Sequence, residues 1–192
     1  MDKTLELLKK SNALLEGHFL LSSGKHSDRY IQCAKLIAHP EYCEEVAKII
    51  AEKIKEKSIK VDLCVGPAMG GIIIAYEVAR ALGVPAIFTE RVDNIMTLRR
   101  GFEIEEGANV IIVEDVITTG KSSFETVDVI KNLGGNVLAL TSIVNRSKKD
   151  EINGLPIISA TKLDINTWDA DDLPDSLKDT QAIKPGSRKM NK

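Results

Sequence analysis

Val110-Ile111-Ile112-Val113 has no polar residue at either alternate position, so a strand made from it must be covered on both faces. It then runs directly into two carboxylates. Glu114 and Asp115 cannot both lie unpaired inside a core, which puts them at the carboxyl end of the strand, facing a polar ligand. Thr118, Thr119, Gly120, Lys121 and Ser122 follow, and lead into a helical pattern of Phe124, Val127, Ile130 and Leu133. Backbone N–H groups and the positive end of that helix can face an anion. Acids beside an anion site suit a ligand with both hydroxyls and a phosphate, and a ribose 5-phosphate fits both halves. A plainer reading, a helix cap with a solvated neighbour, stays open for the acidic pair alone. A nucleotide-binding P-loop does not, because the glycine it needs five residues before Gly120 is Asp115 here. The chain also has no Gly-x-Gly-x-x-Gly dinucleotide fingerprint.

Periodicity extends this unit in both directions. The spacing predicts an amphipathic helix over 4–16 through Leu5, Leu8 and Leu15, then strand-like segments around 18–22 and 29–36. A helix starts at Pro40, with Cys43, Val46, Ala47, Ile50 and Ile54 on one face and its acids early and lysines late, as the helix dipole favours. Strand 61–65, helix 71–82, strands 85–89 and 109–114, helix 122–133 and strand 136–144 follow. This alternation predicts an α/β fold, one domain over 1–192, with a parallel sheet flanked by helices. The tail from Asp164, with the single Trp168, reads as irregular structure wrapping back.

In an open parallel sheet, ligands bind beyond the carboxyl ends of the strands. Three further segments converge there. Gly66-Pro67-Ala68-Met69-Gly70-Gly71 lets backbone N–H groups of Ala68, Met69 and Gly70 approach an oxygen-rich ligand, unless it serves only to turn the chain. The stretch 91–107 is long and polar, holding Arg91, Arg99 and Arg100, and long loops in compact domains are usually functional; a solvated arginine pair is the alternative. Arg146 follows an apolar strand, and its planar fork suits a carboxylate ligand or a surface salt bridge.

Composition narrows the class. With 192 residues and 43% hydrophobic content, the chain can bury a substantial core without disulfides. A net charge of -2 argues against general nucleic-acid binding, so affinity for an anion must come from local cations and backbone dipoles. Cys33, Cys43 and Cys64 are odd in number and widely spaced, which predicts buried thiols in a reducing cytoplasm. No run has membrane-spanning length, and the N-terminus lacks a signal-peptide core.

Two acids, Thr-Thr-Gly and a helix after an apolar strand resemble the sugar-diphosphate motif of type I phosphoribosyltransferases. Gly17-His18-Phe19-Leu20-Leu21-Ser22-Ser23-Gly24-Lys25-His26-Ser27, Arg29 to Lys35, Met96 to Phe102, Ile143 to Ser147 and Lys184-Pro185-Gly186-Ser187-Arg188 extend the resemblance over nearly the whole chain, toward the orotate phosphoribosyltransferases. The resemblance implies the type I fold, with residues 1–38 and the C-terminal tail forming a small hood. It implies transfer of ribose 5-phosphate from 5-phosphoribosyl 1-diphosphate (PRPP) to orotate. PRPP is then expected at Arg91, at Ala68, Met69 and Gly70, and along Glu114, Asp115, Val116, Ile117, Thr118, Thr119, Gly120, Lys121 and Ser122. Orotate is expected at Thr118, Arg146, Lys25 and Tyr30. Catalysis falls to Asp115 and Glu114 with Arg91, Arg99 and Arg100, the arginines acting across a homodimer with shared sites. Mg2+ is expected on the substrate diphosphate, with no protein metal ligand. The chain departs from the better-known members at Gly70 and His26, where they carry lysine, and in the 91–107 loop, which holds no lysine or histidine. An enzyme of this fold acting on a purine base, and a non-catalytic sensor that keeps the sugar motif, are the rival readings.

Overall fold

The computed structural model describes residues 2–21 and 23–185; Ser22, Gly186, Ser187 and Arg188 of the resembling segments lie outside them. Helix α1 (Lys3–Lys10) starts at Asp2, whose carboxylate accepts from the Leu5 amide at 3.1 Å. It stops well before residue 16. The Ser11 hydroxyl donates back to the Leu7 carbonyl, and Asn12 turns the chain at φ 53, a conformation asparagine tolerates, so Leu15 falls on a strand. Strands β1 (Leu14–Leu20) and β2 (His26–Ile31) form an antiparallel hairpin. The second strand ends earlier than its apolar pattern suggests, because Ala34–Ile37 winds into a short helix, α2. Helix α3 (Pro40–Glu56) begins at the expected proline and buries Cys43, Val46, Ala47, Ile50, Ala51 and Ile54.

The central α/β unit follows as β3 (Leu63–Pro67), α4 (Gly71–Leu82), β4 (Ala86–Val92), β5 (Ile95–Leu98), β6 (Asn109–Ile117), α5 (Lys121–Asn132), β7 (Asn136–Asn145), β8 (Glu151–Ile152) and β9 (Leu155–Lys162). These strands make one sheet in the order β5-β4-β3-β6-β7-β9-β8. The five inner strands are parallel, and β5 and β8 add antiparallel edges. The alternation of β6 feeds two cores: Ile111 and Val113 pack toward α3 and α4, while Val110 and Ile112 pack with Val127 and Ile130 of α5.

Two parts of this sheet depart from the sequence reading. The segment after Thr89 is a hairpin rather than an open connection: Asp93 and Asn94, at φ 50 and 65, turn β4 into β5. Consecutive positive φ values match the twist of a tight hairpin, and Asp and Asn accept them. Strand β9 is absent from the sequence reading, because its polar residues point inward. Ser159 and Thr161 are buried, and the Thr161 hydroxyl donates to Asp2.

The tail is more ordered than expected. Strand β10 (Thr167–Trp168) pairs with β2 to complete a three-stranded hood, and the short helix α6 (Asp175–Lys178) follows. Ile183 then exchanges backbone hydrogen bonds with β1, at 2.8 Å to His18 and 2.9 Å to Leu20. Side chains fasten the same seam. His18 contacts the Thr180 hydroxyl at 2.9 Å through Nδ1, and shares a 2.6 Å hydrogen bond with His26 through Nε2.

Candidate functional site

A cavity of about 280 Å³ opens beyond the carboxyl ends of β3 and β6, lined by Pro67, Ala68 and Gly70 and by the unbroken segment Glu114 to Ser123. Strand alternation sends its two acids to opposite faces of the sheet. Glu114 turns toward α5, is 8% exposed, and accepts from the Ser123 hydroxyl at 3.2 Å. Asp115 turns toward α4. A Cβ on Gly70 would sit 2.7 Å from the Asp115 carboxylate, so a side chain at position 70 would displace that acid.

Burial costs both acids. It pushes the Glu114 carboxyl up to about 8, helped by the neighbouring Asp115 charge and opposed by the Ser123 hydroxyl. Asp115 is also raised by burial, against the pull of the Val116 amide, which donates to it at 2.8 Å. Acids at the floor of a cavity whose burial disfavours the charged form gain from hydrogen bonds to hydroxyl groups or from a cationic centre.

Across the cavity, Gly120 adopts φ 77 just before α5, a left-handed turn that a larger residue would resist, and has no side chain with which to cap the helix. The first turn of α5 lines the cavity through Lys121, Ser122 and Ser123, an arrangement that suits an anion, with Lys121 the only cation among the lining residues.

Arg146 lies just past β7, and its amide donates to the Ile117 carbonyl at 2.8 Å, tying it to the same loop. Its Nε is buried and has no hydrogen-bond partner among the described residues. Burial lowers its pKa from the ordinary guanidinium value. Cys33 packs alongside, with its thiol 3.8 Å from the Asp115 carbonyl and its pKa raised well above normal by burial.

The structure gathers Ala68, Gly70, Glu114, Asp115, Val116, Ile117, Thr118, Thr119, Gly120, Lys121 and Ser122 around one cavity. It leaves others apart. Met69 is 85% exposed and does not line the cavity. Arg91 is ion-paired with Glu125 of α5 and donates to the Asn94 carbonyl, while Arg99 and Arg100 lie 3.7 and 3.1 Å from Glu90. Lys25 is paired with Asp169 at 2.9 Å, and Tyr30 packs against Phe19 in the hood. The sequence reading missed Ser123, Glu90 and Glu125. Nothing in their local spacing marks them, because only the return of the chain through α5 or the β4-β5 hairpin brings them to their partners.

A parallel sheet with a carboxylate-tipped strand, a glycine turn and a helix N-terminus at its carboxyl edge defines a sugar-phosphate-handling α/β enzyme class. The family model of the phosphoribosyl transferase domain matches residues 33–172. An orotate phosphoribosyltransferase of Caldanaerobacter subterraneus subsp. tengcongensis is 48% identical over 189 residues, covering 98% of each chain. The crystal structure of orotate phosphoribosyltransferase from Aeropyrum pernix superposes with a TM-score of 0.69 at 26% identity, over 82% of this chain and 92% of that one. The Mycobacterium tuberculosis enzyme in complex with PRPP shares the fold, with a TM-score of 0.66 at 22% identity over 83% of this chain and 95% of that one. The chain belongs to the phosphoribosyltransferase family, in its orotate phosphoribosyltransferase branch.

Proposed function

We propose that this protein transfers ribose 5-phosphate from PRPP to N1 of orotate, giving orotidine 5'-monophosphate and diphosphate, a step of pyrimidine nucleotide synthesis. The observation that carries the choice of base is Arg146: a half-buried arginine whose buried Nε has no partner among the described residues, tied through its backbone to Ile117. A partly desolvated cation with an unused donor calls for an anionic acceptor, and the orotate carboxylate supplies one with matching geometry. Thr118 faces the polar edge of the base from the same loop, and Lys25 and Tyr30 close over it from the hood.

The sugar fits the other half. The 5-phosphate sits in the nest of Thr118, Thr119, Gly120, Lys121 and Ser122, and the ribose hydroxyls donate to Glu114 and Asp115. The diphosphate reaches the backbone of Ala68, Met69 and Gly70. As the bond from the sugar C1 to the diphosphate oxygen breaks, positive charge grows on the ribose ring, and N1 of orotate, its proton released to solvent, donates the electron pair that forms the new bond. Glu114 and Asp115 stabilise that ring charge, so the chain works by position and electrostatics. Mg2+ would enter on the substrate diphosphate and neutralise its charge as it departs, with Glu114 and Asp115 left to the ribose hydroxyls and no side chain assigned as a direct ligand.

Lys121 alone is few cations for a diphosphate, and Arg91, Arg99 and Arg100 are engaged with Glu125 and Glu90 of their own chain. We assign these arginines to the site of a second copy in a homodimer with shared sites. The three free, buried cysteines suit a reducing cytoplasm.

Calorimetry on Arg146→Ala tests the reading. Orotate affinity should fall by roughly tenfold to a hundredfold, as lost charge-assisted hydrogen bonds are worth about 1.5 to 3 kcal/mol, with PRPP affinity little changed. Arg146→Lys should recover only part, since an ammonium lacks the two-pronged geometry. Equal weakening of both substrates would make Arg146 structural and remove the chemical basis for orotate.

A further inference from the structure

We propose that Ser123 is a positioning residue for the transfer reaction, its hydroxyl holding Glu114 in the orientation in which that carboxylate accepts the ribose hydroxyls. The inference rests on the reading of Glu114 as a sugar-binding acid and adds the group that makes it competent.

The geometry is specific. Ser123 is 1% exposed and sits in the first turn of α5, behind the anion nest, from where it donates to Glu114 Oε1 at 3.2 Å. No other side-chain donor reaches Glu114 among the described residues. The neighbour in register on β7 is Ser142, whose buried hydroxyl has no hydrogen-bond partner among those residues either. A glutamate has three side-chain torsions to fix, and a donor on Oε1 leaves Oε2 free for a ligand. The bond also joins the two halves of the site: Glu114 belongs to the strand that meets the sugar, and Ser123 to the helix whose N-terminus faces the phosphate. An acceptor aligned by a buried donor does not have to reorganise when the ligand arrives.

The hydroxyl acts on charge as well as on orientation. It stabilises the ionised acid against burial and against the Asp115 charge, both of which favour the protonated form. Removing it should make ionised Glu114 rarer near neutral pH and should weaken PRPP in a pH-dependent way. A role limited to packing has no such signature.

Steady-state kinetics over pH 6 to 9.5 on the full-length enzyme, with Mg2+ and both substrates, test the proposal. Ser123→Ala should raise KM for PRPP about tenfold at pH 7, as expected for one lost hydrogen bond to a charged group, with KM for orotate unchanged. The acid limb of kcat/KM for PRPP should move to higher pH. Ser123→Thr, which keeps the hydroxyl, should return both toward wild type. If the alanine variant does not fold, Ser123→Cys, of similar size and a weaker donor, should show the same shift in smaller measure. Glu114→Gln separates the two layers of the argument, and adding Ser123→Ala to it should bring no further shift of the limb. Wild-type pH dependence in Ser123→Ala, with PRPP binding impaired in Glu114→Gln, overturns the role of Ser123 and leaves the site intact. Wild-type PRPP binding in Glu114→Gln overturns the sugar-binding role of Glu114 and the proposal with it.

Discussion

Glu114 carries a pH-dependent cost of burial. Its carboxyl rises from an ordinary 4.5 to about 8 on folding, so its contribution favours the folded state below pH 4.5 and is lost as pH rises toward 8. The magnitude is on the order of 3 to 5 kcal/mol. Glu114→Gln removes the ionisable group, so its thermal unfolding should match wild type closely at pH 5 and exceed it clearly at pH 8.5. A wild-type enzyme with equal relative stability at both values would deny the buried-acid account. Asp115→Asn keeps shape while removing charge beside the growing ring cation. Turnover should drop by about a hundredfold to a thousandfold, by analogy with losing one preorganised electrostatic group, with the circular dichroism spectrum unchanged. These acids are legible in the sequence because two carboxylates at the end of an apolar strand would be costly to bury without a polar ligand to meet them. Ser123 and the close approach of Gly70 are not legible there, since both are consequences of a helix returning over the strand end.

At the scale of elements, the β4-β5 hairpin and α5 decide where the loop cations rest. Arg91 is held by Glu125 on α5, and Arg99 and Arg100 by Glu90 on β4. On the proposed reading, these acids compete with diphosphate for the arginines. Glu125→Gln should release Arg91 and lower KM for PRPP a few-fold, with KM for orotate unchanged; a rise in KM would instead show that the pair positions Arg91 productively. The helices α3, α4 and α5 and the strands β3, β6 and β7 are legible because their apolar residues keep a recognisable pattern, and because Pro40 marks the start of α3. The hairpin turn at Asp93-Asn94 is hidden among charged residues. Strand β9 is hidden by Ser159 and Thr161, polar residues that are buried in the fold. The tail of 164–185 reads as irregular because its pairing partner, β2, lies more than a hundred residues earlier, and no local periodicity reports such a contact.

At the scale of the molecule, the cavity of one chain holds the acids and the anion nest, while its loop arginines are turned elsewhere, which is the arrangement expected of shared sites. An inactive Asp115 variant mixed with an inactive Arg91→Ala, Arg99→Ala, Arg100→Ala variant should regain activity after subunit exchange, because each heterodimer rebuilds one complete site. Continued inactivity with exchange verified by mass would place the arginines in their own chain's site or outside the reaction. Selection of orotate is the proposed consequence of Arg146. It is tested most directly by incubating the purified protein with PRPP and Mg2+ and following orotate, hypoxanthine, guanine and adenine in parallel. Orotate alone should be consumed, with one diphosphate released per orotidine 5'-monophosphate formed. Consumption of a purine base in preference to orotate, or no consumption of any base by folded protein that binds PRPP, would contradict it.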